Sequence, residues 1–133
     1  ARDGEGATHF VTIDVEECES RDEAKSIARA IAESALVKTA IHGADPNWGR
    51  IVSAAGYAGV PFEENKVSLW INGVAVYQSG APTAFDAAAL SADLKANRDV
   101  QLRLTFGRGD ASIRFWTCDL TAEYVRLNAD YTT

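Results

Sequence analysis

The chain has 133 residues, 47% hydrophobic and 24% charged, the balance of one globular domain rather than a disordered segment, a collagen or a disulfide scaffold. Thirteen basic against 19 acidic side chains leave a net charge of −6, which gives no electrostatic basis for binding nucleic acid or an anionic membrane. No apolar run approaches the ~20 residues that a membrane-spanning helix needs.

Residues 9–16 alternate, with Val11, Ile13 and Val15 on one side and Thr12, Asp14 and Glu16 on the other, the period of a half-buried strand. The acids Asp14, Glu16, Glu17, Glu19, Asp22 and Glu23 form the only strong charge run. They read as a solvated strand end entering a helix start, where negative charge meets the positive end of the helix dipole. Ser20 opens a capping box with Glu23. Ala24, Ile27, Ala28, Ile31 and Ala35 then predict a helix whose last turns run toward Leu36 and Ile41, with Gly43 able to end it. Asp45-Pro46-Asn47-Trp48-Gly49-Arg50 turns the chain into a second helical stretch over residues 50–57, limited by Gly56 and Gly59. Strands over 67–71 and 74–77 flank Asn72-Gly73, which supplies the two positive-φ positions of a type I′ hairpin turn.

Residues 86–96 predict an alanine-rich helix with Leu90 and Leu94 on one face. Val100, Leu102, Leu104 and Phe106 alternate with Gln101, Arg103 and Thr105. After a turn at 107–110 the chain returns as a strand over 111–118, with Ile113 and Phe115 set against Arg114 and Trp116. A last helix is expected over about 121–129. The order β-α-α-β-β-α-β-β-α predicts a single α+β domain over residues 1–133. Its sheet is mixed or antiparallel, of about five strands, with helices covering one face.

No GxSxG, HExxH, Walker or GxGxxG pattern occurs, and no Ser-His-Asp set, so a complete catalytic constellation is missing. Cys18 and Cys118 stand far apart, neither in a CxxC pair, and His9 and His42 are the only histidines. A zinc site needs about four clustered ligands, so no metal is expected; two reduced thiols, buried or half-buried, in a reducing compartment are. Arg108-Gly109-Asp110 is explained by a glycine-rich turn between strands. The opening Arg2-Asp3-Gly4-Glu5-Gly6-Ala7-Thr8 sets an acid between glycines just before a strand. A carboxylate there could accept a substrate ammonium, or the stretch could be an exposed terminus. Residues 45–50 fit either a helix entry with a buried tryptophan or part of a site. The tail 128–133 is polar and would ordinarily be a loose end. The amino end shows none of the features of a signal peptide, and opening at Ala1 suggests a cut or partial chain.

RDGEGAT, VKTAIHGADPNWGRI, FGRGDASIRFWTCDLT and YVRLNADY, in this order and spacing, resemble the carboxyl-terminal part of the β chain of ornithine acetyltransferase, the glutamate N-acetyltransferase of arginine biosynthesis. The resemblance runs from Arg2 to Thr133. It implies a precursor that cleaves itself before a threonine, which becomes the nucleophile at the amino terminus of the β chain. That threonine takes acetyl from N-acetylornithine and passes it to L-glutamate; some members also accept acetyl-CoA as donor. It implies no cofactor, a cytoplasmic location (in bacteria; the mitochondrion in fungi), and assembly with the α chain and the rest of the β chain into α2β2 or larger species. Glu5 matches the substrate-binding acid of the GEGAT motif, and Asn128 and Thr133 match substrate contacts in the tail.

The family's nucleophile, its oxyanion-stabilising residues and a substrate-binding lysine lie upstream of GEGAT, in a segment this sequence does not include. The chain is therefore expected to supply part of the substrate pocket and not to transfer acetyl alone. Thr8 is not the cleavage-site threonine, and His9 stands where members usually have lysine. Two other readings remain: a non-catalytic assembly domain of the same family, and a relative with a different acyl acceptor.

Overall fold

The computed structural model describes residues 8–119. Strand β1 (Phe10–Cys18) buries Val11, Ile13 and Val15 completely, as the alternation predicts. The Ser20 hydroxyl accepts from the Glu23 N–H at the start of α1 (Arg21–Ala32), and Glu23 reaches back to the N–H of Glu19. The helix expected to continue through Ile41 is instead two. The Ser34 hydroxyl accepts from the Val37 N–H and opens α2 (Ala35–His42). A serine that caps in this way offers the backbone an alternative to helix continuation, and the break re-aims Val37, Ala40 and Ile41 at the core. Asn47 caps α3 (Trp48–Gly56) two residues before the expected start.

Strands β2 (Ser68–Ile71) and β3 (Val74–Gln78) form the hairpin, with Asn72 at φ 49° and Gly73 at φ 81° in its turn. A two-residue strand, β4 (Ala81–Pro82), adds a sixth strand to the sheet. Asp86 caps α4 (Ala87–Ala96), and β5 (Asp99–Thr105) and β6 (Ala111–Cys118) complete the described chain. The final predicted helix lies outside the described residues. The sheet order is β4-β3-β2-β5-β1-β6, mixed, with β1 parallel to β5 and antiparallel to β6.

One face of this sheet makes the core. Ile13, Leu102, Leu104, Leu69 and Ile71 join Ile27 and Ile31 of α1, Ile51 of α3 and Leu90 and Leu94 of α4 in a single buried cluster. The opposite face carries a charged row across four strands, since Trp70 pairs with Arg103, Arg103 with Asp14, and Asp14 with Arg114. Arg103 lies 4.7 Å over the Trp70 ring and bonds Glu16 at 2.9 Å. Arg114 forks onto Asp14 at 2.7 and 3.2 Å, and Gln101 donates to the same carboxylate at 2.7 Å. Burial pushes the Asp14 carboxyl up, but the bonds from Arg114 and Gln101 outweigh it and hold the group below its usual range. The acid that alternation placed on a solvated face is in fact buried within this row. Among the described residues, no helix is long and apolar enough to cross a membrane.

Gly80 takes φ +83° between β3 and β4, and a Cβ there would lie 2.6 Å from the Asn65 Cα and 2.8 Å from the Glu64 carbonyl oxygen. Both neighbours are backbone and cannot swing away. Gly80→Ala is expected to destabilise by about 2–4 kcal/mol. Gly56→Ala, at a helical position with nothing within 4 Å, is expected to be neutral or to stabilise by about 0.5–1 kcal/mol. Thermal melts of the two variants check the contrast.

Candidate functional site

Phe10 pairs with Cys118 in the antiparallel β1–β6 ladder, so the residues just before β1 and just after β6 emerge at one corner. The Asp119 N–H donates to the His9 carbonyl at 3.2 Å and extends the ladder there. α2 delivers His42 to the same corner as its last residue. α4 brings the Leu94 carbonyl from its final turn. Four chain segments thus meet at this corner, and two of them, residues 8–9 and the end of α2, bond the Asp119 carboxylate, whose side chain is 0% exposed.

Its Oδ1 accepts from the backbone N–H groups of Thr8 at 2.7 Å and His9 at 2.8 Å. Oδ2 accepts from the Thr8 hydroxyl at 2.7 Å and faces the Nδ1 atoms of His9 at 2.7 Å and His42 at 3.2 Å. Burial alone would raise this carboxyl's pKa; the hydrogen bonds from the side chains and backbone of His9 and Thr8 reverse that and lower it. The His9 ring spans from Asp119 to the Leu94 carbonyl, 2.7 Å from Nε2. Oxygen faces both of its ring nitrogens. No buried side-chain nitrogen or oxygen among the described residues lacks a partner.

This arrangement is not a nucleophile relay. A relay places the imidazole between hydroxyl and carboxylate, with one ring nitrogen for each. Here the Thr8 hydroxyl meets the carboxylate directly, and both imidazoles turn Nδ1 to the same point. No imidazole stands between the Thr8 hydroxyl and the carboxylate.

The 45–50 motif behaves mainly as a helix entry. The Asn47 side-chain oxygen accepts from the Arg50 N–H at 3.0 Å, and Trp48 stacks on Tyr77 with ring centres 5.2 Å apart. Arg50 donates to the Leu36 carbonyl at 3.1 Å. It lines an open groove of about 830 Å³ with Arg29, Glu33, Leu36, Ser53 and Tyr57. Arg108 of the turn after β5 is structural: its guanidinium forks onto Glu23 at 2.8 and 2.9 Å and donates to the Pro61 carbonyl at 2.8 Å. A Cβ on Gly109 would meet the Cys18 carbonyl at 2.7 Å, so the turn packs against the bulged end of β1. Cys18 is buried and Cys118 half-buried. Burial, with Glu23 nearby, pushes the Cys18 thiol up to about 11, which leaves it inert at neutral pH. Among the described residues no group of His, Cys, Asp and Glu is arranged to hold a metal ion.

Glu5, Asn128 and Thr133 lie outside the described residues. The segments that carry them join the described fold at Thr8 and at Asp119, two residues that bond each other. Asp119 carries no local periodic signal, because a lone acid after an alternating strand looks like an ordinary polar strand end. Its position within FWTCDLT was the one available signal.

A family model described as the ArgJ family matches residues 1–133. The chain is 51% identical over its whole length to the arginine biosynthesis bifunctional protein ArgJ of Parasynechococcus marenigrum, covering 32% of that protein. It is 52% identical over 131 residues to the protein of the same name from Rhodopirellula baltica, again covering 32%. It thus spans about a third of the length of these relatives. The crystal structure of arginine biosynthesis bifunctional protein ArgJ from Bacillus halodurans superimposes with a TM-score of 0.91 at 40% identity, over 98% of this chain and 62% of that one.

Because its carboxyl pKa is lowered in the fold, Asp119 contributes stability that is present above its ordinary value of about 3.9 and is lost as pH falls through the folded value. Stability is expected to drop on acidification below about pH 4. Asp119→Asn is expected to lower stability at pH 7 and to flatten that acid limb, as followed by denaturant melts from pH 7 downward.

Proposed function

The chain belongs to the ArgJ family, and on that premise we propose that it is the substrate-binding end of a glutamate N-acetyltransferase of arginine biosynthesis. The enzyme moves acetyl from N2-acetyl-L-ornithine to L-glutamate. The observation that carries this reading is the match over residues 1–133, which includes both the GEGAT stretch and the tail.

The chemistry divides between this stretch and the rest of the β chain. A threonine outside this sequence attacks the acetyl carbonyl of N-acetylornithine; the amide C–N bond breaks, and ornithine leaves with the proton. The α-amine of glutamate then attacks the acetyl ester, the ester C–O bond breaks, and the threonine regains its proton. The residues of this chain bind and orient. Glu5 meets a substrate ammonium through a charge-assisted hydrogen bond. Asn128 and Thr133 hydrogen-bond the remaining polar groups. The α chain and the rest of the β chain complete the cytoplasmic assembly, α2β2 or larger.

The Thr8–Asp119 bonds support this division, because they join the two stretches that carry the proposed contacts at one corner. Glu5 is three peptide units from Thr8, a reach of at most about 11 Å.

In the complete enzyme, Glu5→Gln is expected to raise KM for the amino-acid substrates roughly ten-fold or more while leaving self-cleavage intact, the loss of one charged hydrogen bond. Unchanged KM and kcat would remove Glu5 from the site. Deleting residues 128–133 is expected to lower turnover far more than melting temperature. Full turnover by the truncated enzyme would exclude the tail. Steady-state transfer from N-acetylornithine to glutamate reads both.

A further inference from the structure

We infer that the outer edge of β6 joins two copies of this chain, strand to strand, about a two-fold axis that sets Phe115 opposite its own copy. The inference deepens the α2β2 reading above and rests on it.

The two ends of the sheet differ. β4 closes one side with two residues, one of them Pro82, a short edge that discourages further pairing. β6 closes the other side with eight residues, Ala111–Cys118, and neither proline nor lysine among them. Its one charge, Arg114, is already paired with Asp14. The Asp119 N–H reaches the His9 carbonyl, which fixes the phase of the antiparallel ladder. The N–H and C=O groups of Phe115 and Thr117 therefore point toward β1, and those of Arg114 and Trp116 point away. Among the described residues no strand lies on that side. The apolar cover is incomplete there too. Ile13 and Val15 are fully buried, whereas their cross-strand partners Phe115 and Ile113 are only partly buried. Trp116 is 54% exposed on the opposite face.

A second copy fits this edge in one register. A two-fold antiparallel pairing matches outward-pointing residues with one another. Centred on Arg114, it sets two guanidiniums face to face, which is unfavourable. Centred on Trp116, it puts Ile113 opposite the buried Asp119. Centred on Ile113, it leaves Trp116 beyond the end of the partner strand. Centred on Phe115, it pairs Arg114 with the partner's Trp116, Trp116 with the partner's Arg114, and Ile113 with the partner's Thr117. The sheet already uses the arginine–tryptophan pair on this same face. Arg103 stands opposite Trp70 in the antiparallel β2–β5 ladder and lies 4.7 Å over its ring. The row from Trp70 through Arg103 and Asp14 to Arg114 thus ends on the partner's Trp116, as it begins on a tryptophan of its own.

The test uses the complete enzyme and follows the mass of the assembly by sedimentation across a dilution series. Trp116→Lys sets an ammonium opposite the partner's Arg114. It is expected to raise the dissociation constant between αβ units roughly ten-fold or more, since the symmetry repeats each lost pair. Trp116→Glu sets a carboxylate there and is expected to keep the wild-type mass at the same concentrations. Phe115→Cys, oxidised in air, is expected to give a disulfide-linked pair of this chain on a non-reducing gel. Residues directly opposite at such a position stand about 4.5 Å apart, within disulfide reach. The wild type, with Cys18 and Cys118, is the reference. An assembled wild type whose mass neither charge variant moves, with no cross-link, overturns the inference and leaves the α2β2 reading intact. A further strand of the same molecule on this edge gives that result. Equal weakening by Trp116→Lys and Trp116→Glu also overturns it. A wild type that stays a single αβ unit at every concentration removes the α2β2 reading and the inference together. If Trp116→Lys does not fold, the cross-link decides.

Discussion

The register of β1 governs most of what the molecule does. The strand is bonded along both edges, in parallel to β5 and antiparallel to β6. A slip of one residue would send Val11, Ile13 and Val15 to the charged face and Asp14 into the core. The same slip would separate Thr8 and His9 from Asp119, because the corner exists only where the β1–β6 ladder ends with Phe10 opposite Cys118. Core, charged row and corner are therefore set by one alignment.

Two buried carboxylates anchor the two sides of that alignment by different means. Asp14 sits mid-strand and is held by an arginine fork and a glutamine amide across neighbouring strands. Asp119 sits at a strand end and takes backbone N–H groups, a hydroxyl and imidazoles instead. Both are held below the ordinary carboxyl pKa against the penalty of burial. The difference is one of use. The Asp14 bonds run from strand to strand and stiffen the sheet, whereas those of Asp119 tie the start of β1 and the end of β6 to the end of α2.

Local pattern made much of the fold legible. The alternations in β1, β5 and β6, the Ser20 cap and the Asn72-Gly73 turn each depend on residues close in sequence, and each forms where its spacing places it. The break at Ser34 was hidden, because a serine inside an apolar helical pattern looks the same whether it faces solvent or caps a new helix. β4 was hidden too, since two residues carry no period. The motif at 45–50 fits helix entry or site by its residues alone, and the Asn47 cap with the Trp48–Tyr77 stack accounts for most of it.

The sequence by itself determined which residues face the core, where the principal turns fall, and, through long motifs in fixed order, the family to which the chain belongs. Only the tertiary structure decided which strands are neighbours, that Asp14 is buried within a salt-linked row, and that Thr8, His9, His42 and Asp119 meet at one carboxylate. Periodicity is a property of neighbours along the chain, so it reports faces. The partners of a buried acid come from opposite ends of the sequence, and only the closing of the sheet brings them within hydrogen-bonding distance.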